Sequence, residues 1–314
     1  MYNYCTLFDS NYLTRGLAMY ESLKTYSNNF HLYIFAFDER SYKLLKKLDL
    51  AHVHVISLQE FENTELLKVK NERTAGEYCW TCTPSIIKYS IETFGLESCT
   101  YLDADLYFFD DPSILIEEMG NDSVLITEHR YTPQYDHSAT SGVYCVQFMT
   151  FKNDTRGIRI LDWWKNACLD WCYARYEDGK FGDQKYLDDW TTRFEGVHVL
   201  QHVGGGVAPW NVQQYDLTNP DFKLIFYHFH NFKFLKNAAV ELGNYRLSKN
   251  DLLKIYQPYI QHLEEIGQRI KNIDDSYDYH GTANPKWEWK TPFREIKRRL
   301  LGSYNVYNKK YFLG

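Results

Sequence analysis

Thr100-Tyr101-Leu102-Asp103-Ala104-Asp105-Leu106 is the stretch on which the reading of this chain turns. Residues 100–102 have the character of a short buried strand, and they run directly into two carboxylates separated by one alanine. On a regular strand alternate side chains share a face, so Asp103 and Asp105 reach the same ligand. Carboxylates without partners are costly to bury. A pair at the carboxyl end of a strand therefore points to a hard divalent cation, which favours carboxylate, water and phosphate oxygens. Asp110-Asp111-Pro112, a few residues on, has a plainer reading: Asp111 caps a short helix with Pro112 at its first position.

The segments around this stretch alternate strand and helix patterns. Residues 4–8, 31–37 and 52–57 read as strands, and 13–26 and 41–48 as helices. Thr83-Pro84 reads as the start of a further helix ending near residue 94, with threonine as cap and proline at the first helical position. Residues 143–148 read as a strand, followed by an amphipathic helix over 155–173. Residues 197–200 and 224–227 are late strands, with Gly204-Gly205-Gly206 between them. Alternation at this spacing predicts an α/β fold with a mainly parallel sheet, in which ligands bind at the carboxyl ends of strands. Beyond residue 247 the chain turns helical and more polar. No repeat or low-complexity linker interrupts it, so one compact domain over 1–247 with a helical extension over 248–314 is expected.

Composition narrows the class. With 44 % hydrophobic and 24 % charged residues the chain is neither disordered nor fibrous. A formal charge of −6 argues against general nucleic-acid binding. No segment approaches the roughly 18 consecutive apolar residues of a membrane span. Residues 2–8 show neither the charged nor the long apolar region of a secretory leader. Seven cysteines, an odd number, are then expected to be reduced thiols in a cytoplasmic protein. Cys79 with Cys82 and Cys168 with Cys172 invite a zinc reading, but Ile158, Leu161, Trp164, Cys168 and Cys172 share one helical face, and packing explains the second pair without metal.

Tyr101-Leu102-Asp103-Ala104-Asp105 resembles the YLDxD of GT-A fold glycosyltransferases (Rossmann-like, with flanking helices), in particular the family 8-like group that includes glycogenin and the bacterial lipooligosaccharide galactosyltransferases. Four more segments resemble that group in the right order over roughly residues 3–236. Phe8-Asp9-Ser10-Asn11-Tyr12 is similar to its D-x-N-Y, Thr140-Ser141-Gly142-Val143 to its N-[AS]-G-V, Gly182-Asp183-Gln184-Lys185-Tyr186-Leu187 to its DQD-x-L-N, and His228-Phe229-His230-Asn231-Phe232-Lys233 to its H-F-x-G-x-x-K-P-W. The resemblance implies a metal-dependent enzyme that moves a sugar from a nucleotide diphosphate donor, UDP-linked, to a glycan or glycolipid acceptor, with retention. Asp105 would ligate the metal, Mn²⁺ or Mg²⁺, while Asp103 would reach the metal or the ribose. A late histidine would complete the site, His228 in preference to His230, and imidazole suits Mn²⁺ better than Mg²⁺. Asp9, Asn11 and Tyr12 would hold base and ribose, Lys233 or Lys236 the diphosphate, and Asp183 and Gln184 the sugar at the reacting centre.

The sequence also departs from that group. Thr140 replaces an asparagine, Lys185 replaces the second aspartate of DQD, and the K-P-W ending is missing. The six-residue histidine-to-lysine spacing is met by His230–Lys236, whereas His228–Lys233 spans five. The basic residue expected on the helix before DxD has only Lys88 and Arg73 as candidates. Residues 204–211 read either as a simple turn or as a loop presenting Trp210 as a sugar platform. From Lys286 to Gly314 there are eight Lys/Arg and two Glu, which leaves the rest of the chain at −12. Phe293, Ile296 and Leu300 share one helical face, with Arg294, Lys297, Arg298 and Arg299 largely on the others and Trp287, Trp289, Tyr304, Tyr307, Tyr311 and Phe312 interspersed. This tail reads either as attachment to an anionic membrane surface, making the protein peripheral at the inner face, or as a helix docked on the acidic body. Two other classes compete with a transferase: a sugar-nucleotide nucleotidyltransferase, which should carry a basic Gly-rich loop that residues 9–15 lack, and a non-catalytic carbohydrate-binding protein, which the 54 aromatic residues would allow.

Overall fold

The computed structural model describes residues 1–284, 289 and 291–314; Lys286 and Trp287 lie outside the described residues. Its centre is a seven-stranded sheet built from β1 (Tyr2–Phe8), β2 (Phe30–Ala36), β3 (Val53–Ser57), β4 (Ser98–Leu102), β6 (Val124–Glu128), β7 (Tyr144–Lys152) and β8 (Val197–Val199). The order is β3-β2-β1-β4-β7-β6-β8, and β7 alone runs against the others. Because both faces are covered, the strands are apolar nearly throughout. In β1, Tyr4 and Phe8 enter one core while Cys5 and Leu7 enter the other.

Helices α1 (Leu13–Tyr26) and α2 (Glu39–Leu48) cover the first face, and α3 (Ala75–Phe94) and α4 (Thr155–Asp170) the second. The start of α3 differs from the sequence expectation. Thr74, not Thr83, caps it, in a capping box with Glu77, and Pro84 sits inside the helix. The reciprocal cap satisfies the first free N–H groups nine residues earlier, and the buried Tyr78, Cys82, Ile86 and Ile87 carry the helix through the proline. Helix α4 ends at Asp170, where Trp171 turns to extended backbone; Cys172 nevertheless stays buried. All seven cysteines are free, and the Cys79–Cys82 pair lies within α3.

Two smaller sheets complete the molecule. β5 (Leu106–Phe108) pairs antiparallel with β9 (Phe226–His228), placing Leu106 opposite His228. β10 (Lys233–Leu235), β11 (Ala239–Glu241) and β12 (Val306–Asn308) form an antiparallel trio. The extension shares the core of the rest of the chain: α5 (Gln257–Lys271) buries Tyr259, Ile260, Leu263, Ile266 and Ile270 in the cluster that holds α1, and Phe312 is fully buried beside them. Among the described residues no helix is long and apolar enough to cross a membrane.

The tail divides. Arg298 pairs with Glu241 at 3.0 Å and Lys309 with Glu264 at 2.9 Å, which fastens its end to the body. Helix α6 (Thr291–Leu300), which carries Arg298, turns Phe293, Ile296 and Leu300 outward, 68 %, 56 % and 82 % exposed.

Candidate active site

The two carboxylates do not sit on a regular strand. Asp103-Ala104-Asp105 forms the turn that joins β4 to β5, closed by Leu106 N–H donating to the Asp103 carbonyl at 3.2 Å. Convergence therefore comes from a turn and a neighbouring strand rather than from strand alternation. β9 delivers His228 opposite this turn, and its Nε2 lies 3.2 Å from Asp105 Oδ1 and 3.6 Å from Asp103 Oδ2. One ligand atom from each of the three residues falls within 4.8 Å of the others, and they are the one such group of carboxylate, imidazole and thiol ligands among the described residues. Two carboxylates and an imidazole make a donor set that fits Mn²⁺ or Mg²⁺.

The electrostatics fit a site built for cation charge. Burial raises the Asp103 carboxyl to about 6, with Asp105 adding to the effect and His228 opposing it. Burial would raise Asp105 too, but His228 beside it, helped by His230 and Arg15, holds it below the usual carboxylate range. His228 is driven up against its own burial by Asp105 and Asp103. The Tyr101 hydroxyl donates to Asp103 Oδ1 at 2.8 Å. His230 is not in the cluster. Burial, followed by the charge of His228, lowers it to about 4, and its ring lies against the edge of Trp210.

Asp183 is buried close enough to Asp103 for their charges to interact, and burial lifts it to about 8. Its carbonyl accepts from Trp164 Nε1 at 2.9 Å. Gln184 turns its amide to the Ser141 carbonyl at 2.6 Å, so it holds the Thr140–Gly142 turn in place. The misplaced charge of Lys185 is neutralised within the loop: Nζ donates to Asp188 Oδ2 at 2.6 Å and to the Ser138 carbonyl at 2.8 Å. The other oxygen of Asp188 accepts from Val143 N–H at 2.8 Å.

On the opposite side, Asp9 caps the turn of residues 10–12, accepting from Asn11 and Tyr12 N–H. Tyr12, 42 % exposed, lies near both aspartates and stacks on Arg15, whose guanidinium carbon is 4.6 Å from the ring centre. Arg15 was not legible as a site residue. It is buried, and it ties the carbonyls of Asn11, Phe232 and His280 together. Lys233 and Lys236 are exposed on and just after β10. Lys88 is committed to Asp162 and Glu92, and Arg73 to the Leu169 carbonyl and the face of Tyr173. The part of α3 near the aspartates instead carries Cys79 and Thr83, so neither basic candidate fills the expected place.

Trp210 is not an exposed platform. It is 4 % exposed, donates from Nε1 to the His129 carbonyl at 2.8 Å, and sets its ring edge-on to His228 and His230. The glycine loop before it is a packing device. A Cβ on Gly204 would lie 1.8 Å from the Lys223 carbonyl oxygen, and the Gly204 carbonyl receives Ile225 N–H at 3.0 Å as the chain enters β9.

No family model matches the chain. It is 30 % identical over 293 residues to the uncharacterized protein YfnD of Bacillus subtilis (strain 168), covering 88 % of this chain and 94 % of that one. It is also 30 % identical over 291 residues to the uncharacterized protein YfnF of the same organism, covering 88 % and 96 %. Among solved structures it superposes on the galactosyltransferase LgtC, crystallised with donor and acceptor sugar analogues, at TM-score 0.52 and 9 % identity, covering 84 % of this chain and 95 % of that one. It superposes on the bifunctional glycosyltransferase WbbM at TM-score 0.53 and 13 % identity, covering 85 % and 51 %. The fold is GT-A.

Proposed function

We propose, from the premise that the chain belongs to the family of Bacillus subtilis YfnD and YfnF and has the GT-A fold, that it is a metal-dependent glycosyltransferase using a UDP-linked sugar. The observation that carries the reading is the convergence of His228, from β9, on Asp103 and Asp105 in the turn at the carboxyl end of β4. Sugar transfer from a nucleotide diphosphate leaves charge on the departing diphosphate, and a divalent cation bound there neutralises it without proton transfer. Asp103, Asp105 and His228 would hold that cation. Tyr12 offers an open ring face for the base beside the Asp9–Asn11 turn. Asp183, whose burial favours the neutral form, is suited to donate a hydrogen bond to a sugar hydroxyl, and Gln184 braces the loop that carries it. Lys233 and Lys236 supply mobile positive charge for the diphosphate.

The acceptor is a glycan or glycolipid and transfer proceeds with retention in this reading. The outward face of α6 supports a peripheral position on an anionic bilayer: Phe293, Ile296 and Leu300 would enter the interface and Lys297 would meet the headgroups. Calorimetry with UDP in the presence and absence of Mn²⁺ tests the central reading. Metal-dependent UDP binding that Asp105→Asn abolishes is the expected result. Full binding by that variant would remove the metal assignment, and oligosaccharide binding without metal or UDP would favour a lectin.

A further inference from the structure

Residue 147 is the one glutamine in β7, a strand that is mostly apolar, and it is completely buried. Its side chain is doubly unusual. Oε1 lies 2.8 Å from His228 Nδ1, while Nε2 has no hydrogen-bond partner at all. An unsatisfied buried amide is costly, and a methionine or leucine would fill the same space without that cost. Strand packing alone therefore does not account for this residue.

The contact with His228 does. An imidazole that presents the lone pair of Nε2 to a cation must carry its proton on Nδ1, and that N–H needs an acceptor. Gln147 Oε1 is that acceptor, and being neutral it fixes the ring without adding a further negative charge. Cys145, two residues earlier on the same face of β7, also interacts with the ring; a thiol is a weak partner. The backbone of the same glutamine acts on the other side of the cluster, since its carbonyl accepts from Asp103 N–H at 3.0 Å. One residue thus sets the position of a carboxylate and of an imidazole that reach the cluster from different strands.

A second feature points to the same amide. Gly206 has φ +92°, and a Cβ there would lie 2.7 Å from Thr127 Cγ2 and 3.3 Å from Gln147 Nε2. The last glycine of the 204–206 loop leaves room for the amide end of Gln147. Trp210, held by the His129 carbonyl, closes the ring of His228 from its edge.

We propose that Gln147 is the positioning residue of the cation site, fixing the tautomer and orientation of His228 through Oε1 and the place of Asp103 through its carbonyl; this rests on the reading of Asp103, Asp105 and His228 as cation ligands. The test measures Mn²⁺ binding to the full chain by electron paramagnetic resonance, with thermal unfolding recorded in parallel. Gln147→Met keeps the length and volume of the side chain and removes the unsatisfied amide. Its unfolding temperature should match or exceed that of the native chain while Mn²⁺ affinity falls about 10–100-fold. Gln147→Glu restores an acceptor at the same position and should recover most of that affinity. Native Mn²⁺ affinity in Gln147→Met overturns the proposal, as does a Gln147→Met chain that fails to fold, because the amide would then serve the fold and not the ring. Native affinity in His228→Ala, or no Mn²⁺ binding by the native chain, overturns the cation site itself, a result distinguishable from failure of Gln147 alone.

Discussion

The Gly204–Lys223 contact yields a magnitude that can be worked from coordinates. In Gly204→Ala the new Cβ would sit 1.8 Å from the Lys223 carbonyl oxygen and 2.9 Å from its carbon, where ordinary contact begins near 3.4 Å. Both partners are backbone, so neither can swing away, and the segments must part by about 1.5 Å. That movement takes the 3.0 Å bond from Ile225 N–H to the Gly204 carbonyl out of hydrogen-bonding range. A lost buried backbone bond costs about 1–3 kcal/mol, and crowding adds a similar amount, so about 2–6 kcal/mol is expected. With an unfolding entropy of about 2.1 cal/mol/K per residue, this lowers Tm by roughly 3–9 °C for a chain of this size. Scanning fluorimetry reads the shift, and Gly76→Ala is the control: its Cβ meets nothing within 4 Å in α3, so alanine should stabilise by up to ~1 kcal/mol. A Gly204→Ala protein within 1 °C of the native Tm, by about the same scaling, would show that the 204–223 approach does not constrain the fold.

Three further outcomes are expected. Asp183 holds a proton in the folded chain up to about pH 8 that it loses near 3.8 when unfolded, so stability declines with rising pH across that window by up to about 1.4 kcal/mol per unit; urea midpoints for Asp183→Asn from pH 5 to 8 should decline less steeply than native ones, and parallel curves would refute the burial argument. Thr74→Ala removes the capping box of α3 and should cost about 1 kcal/mol in urea unfolding; an unchanged urea midpoint would show that the box does not hold the helix start. Replacing Phe293, Ile296 and Leu300 together by serine should leave Tm unchanged, because all three are exposed, and should reduce sedimentation with phosphatidylglycerol vesicles about tenfold or more; equal sedimentation removes the membrane role of α6.

The DxD turn was readable from sequence because its chemistry is local: two carboxylates one residue apart stay together in strand or turn. The fold class followed from strand and helix periodicities that are also local. What escaped reading depends on which partners the fold selects, most of them distant. Pro84 carried a start signal that the capping box at Thr74 overrode. Trp210 has the composition of a sugar platform, but only the fold buries it against two histidines. Nothing local distinguishes Lys185, neutralised by Asp188 three residues on, from a lysine facing a substrate. Arg15 looks like any helical arginine until residues 232 and 280 arrive to receive it. Gln147 left one trace, a single amide in an apolar strand, and its meaning depended on a histidine 81 residues away.

The reach of Arg15 has a temporal side. Its guanidinium joins the carbonyls of residues 11, 232 and 280, and the Asn11 side chain is itself held by the hydroxyl of Tyr277 at 2.7 Å. A ribosome makes Arg15 well before the carbonyls it joins, Phe232 and His280 following it by 217 and 265 residues. The corner around Arg15 is therefore completed only when these later segments arrive. A nascent chain would carry β1–β8 before it could carry a finished corner, which separates folding of the sheet from completion of the corner during biosynthesis.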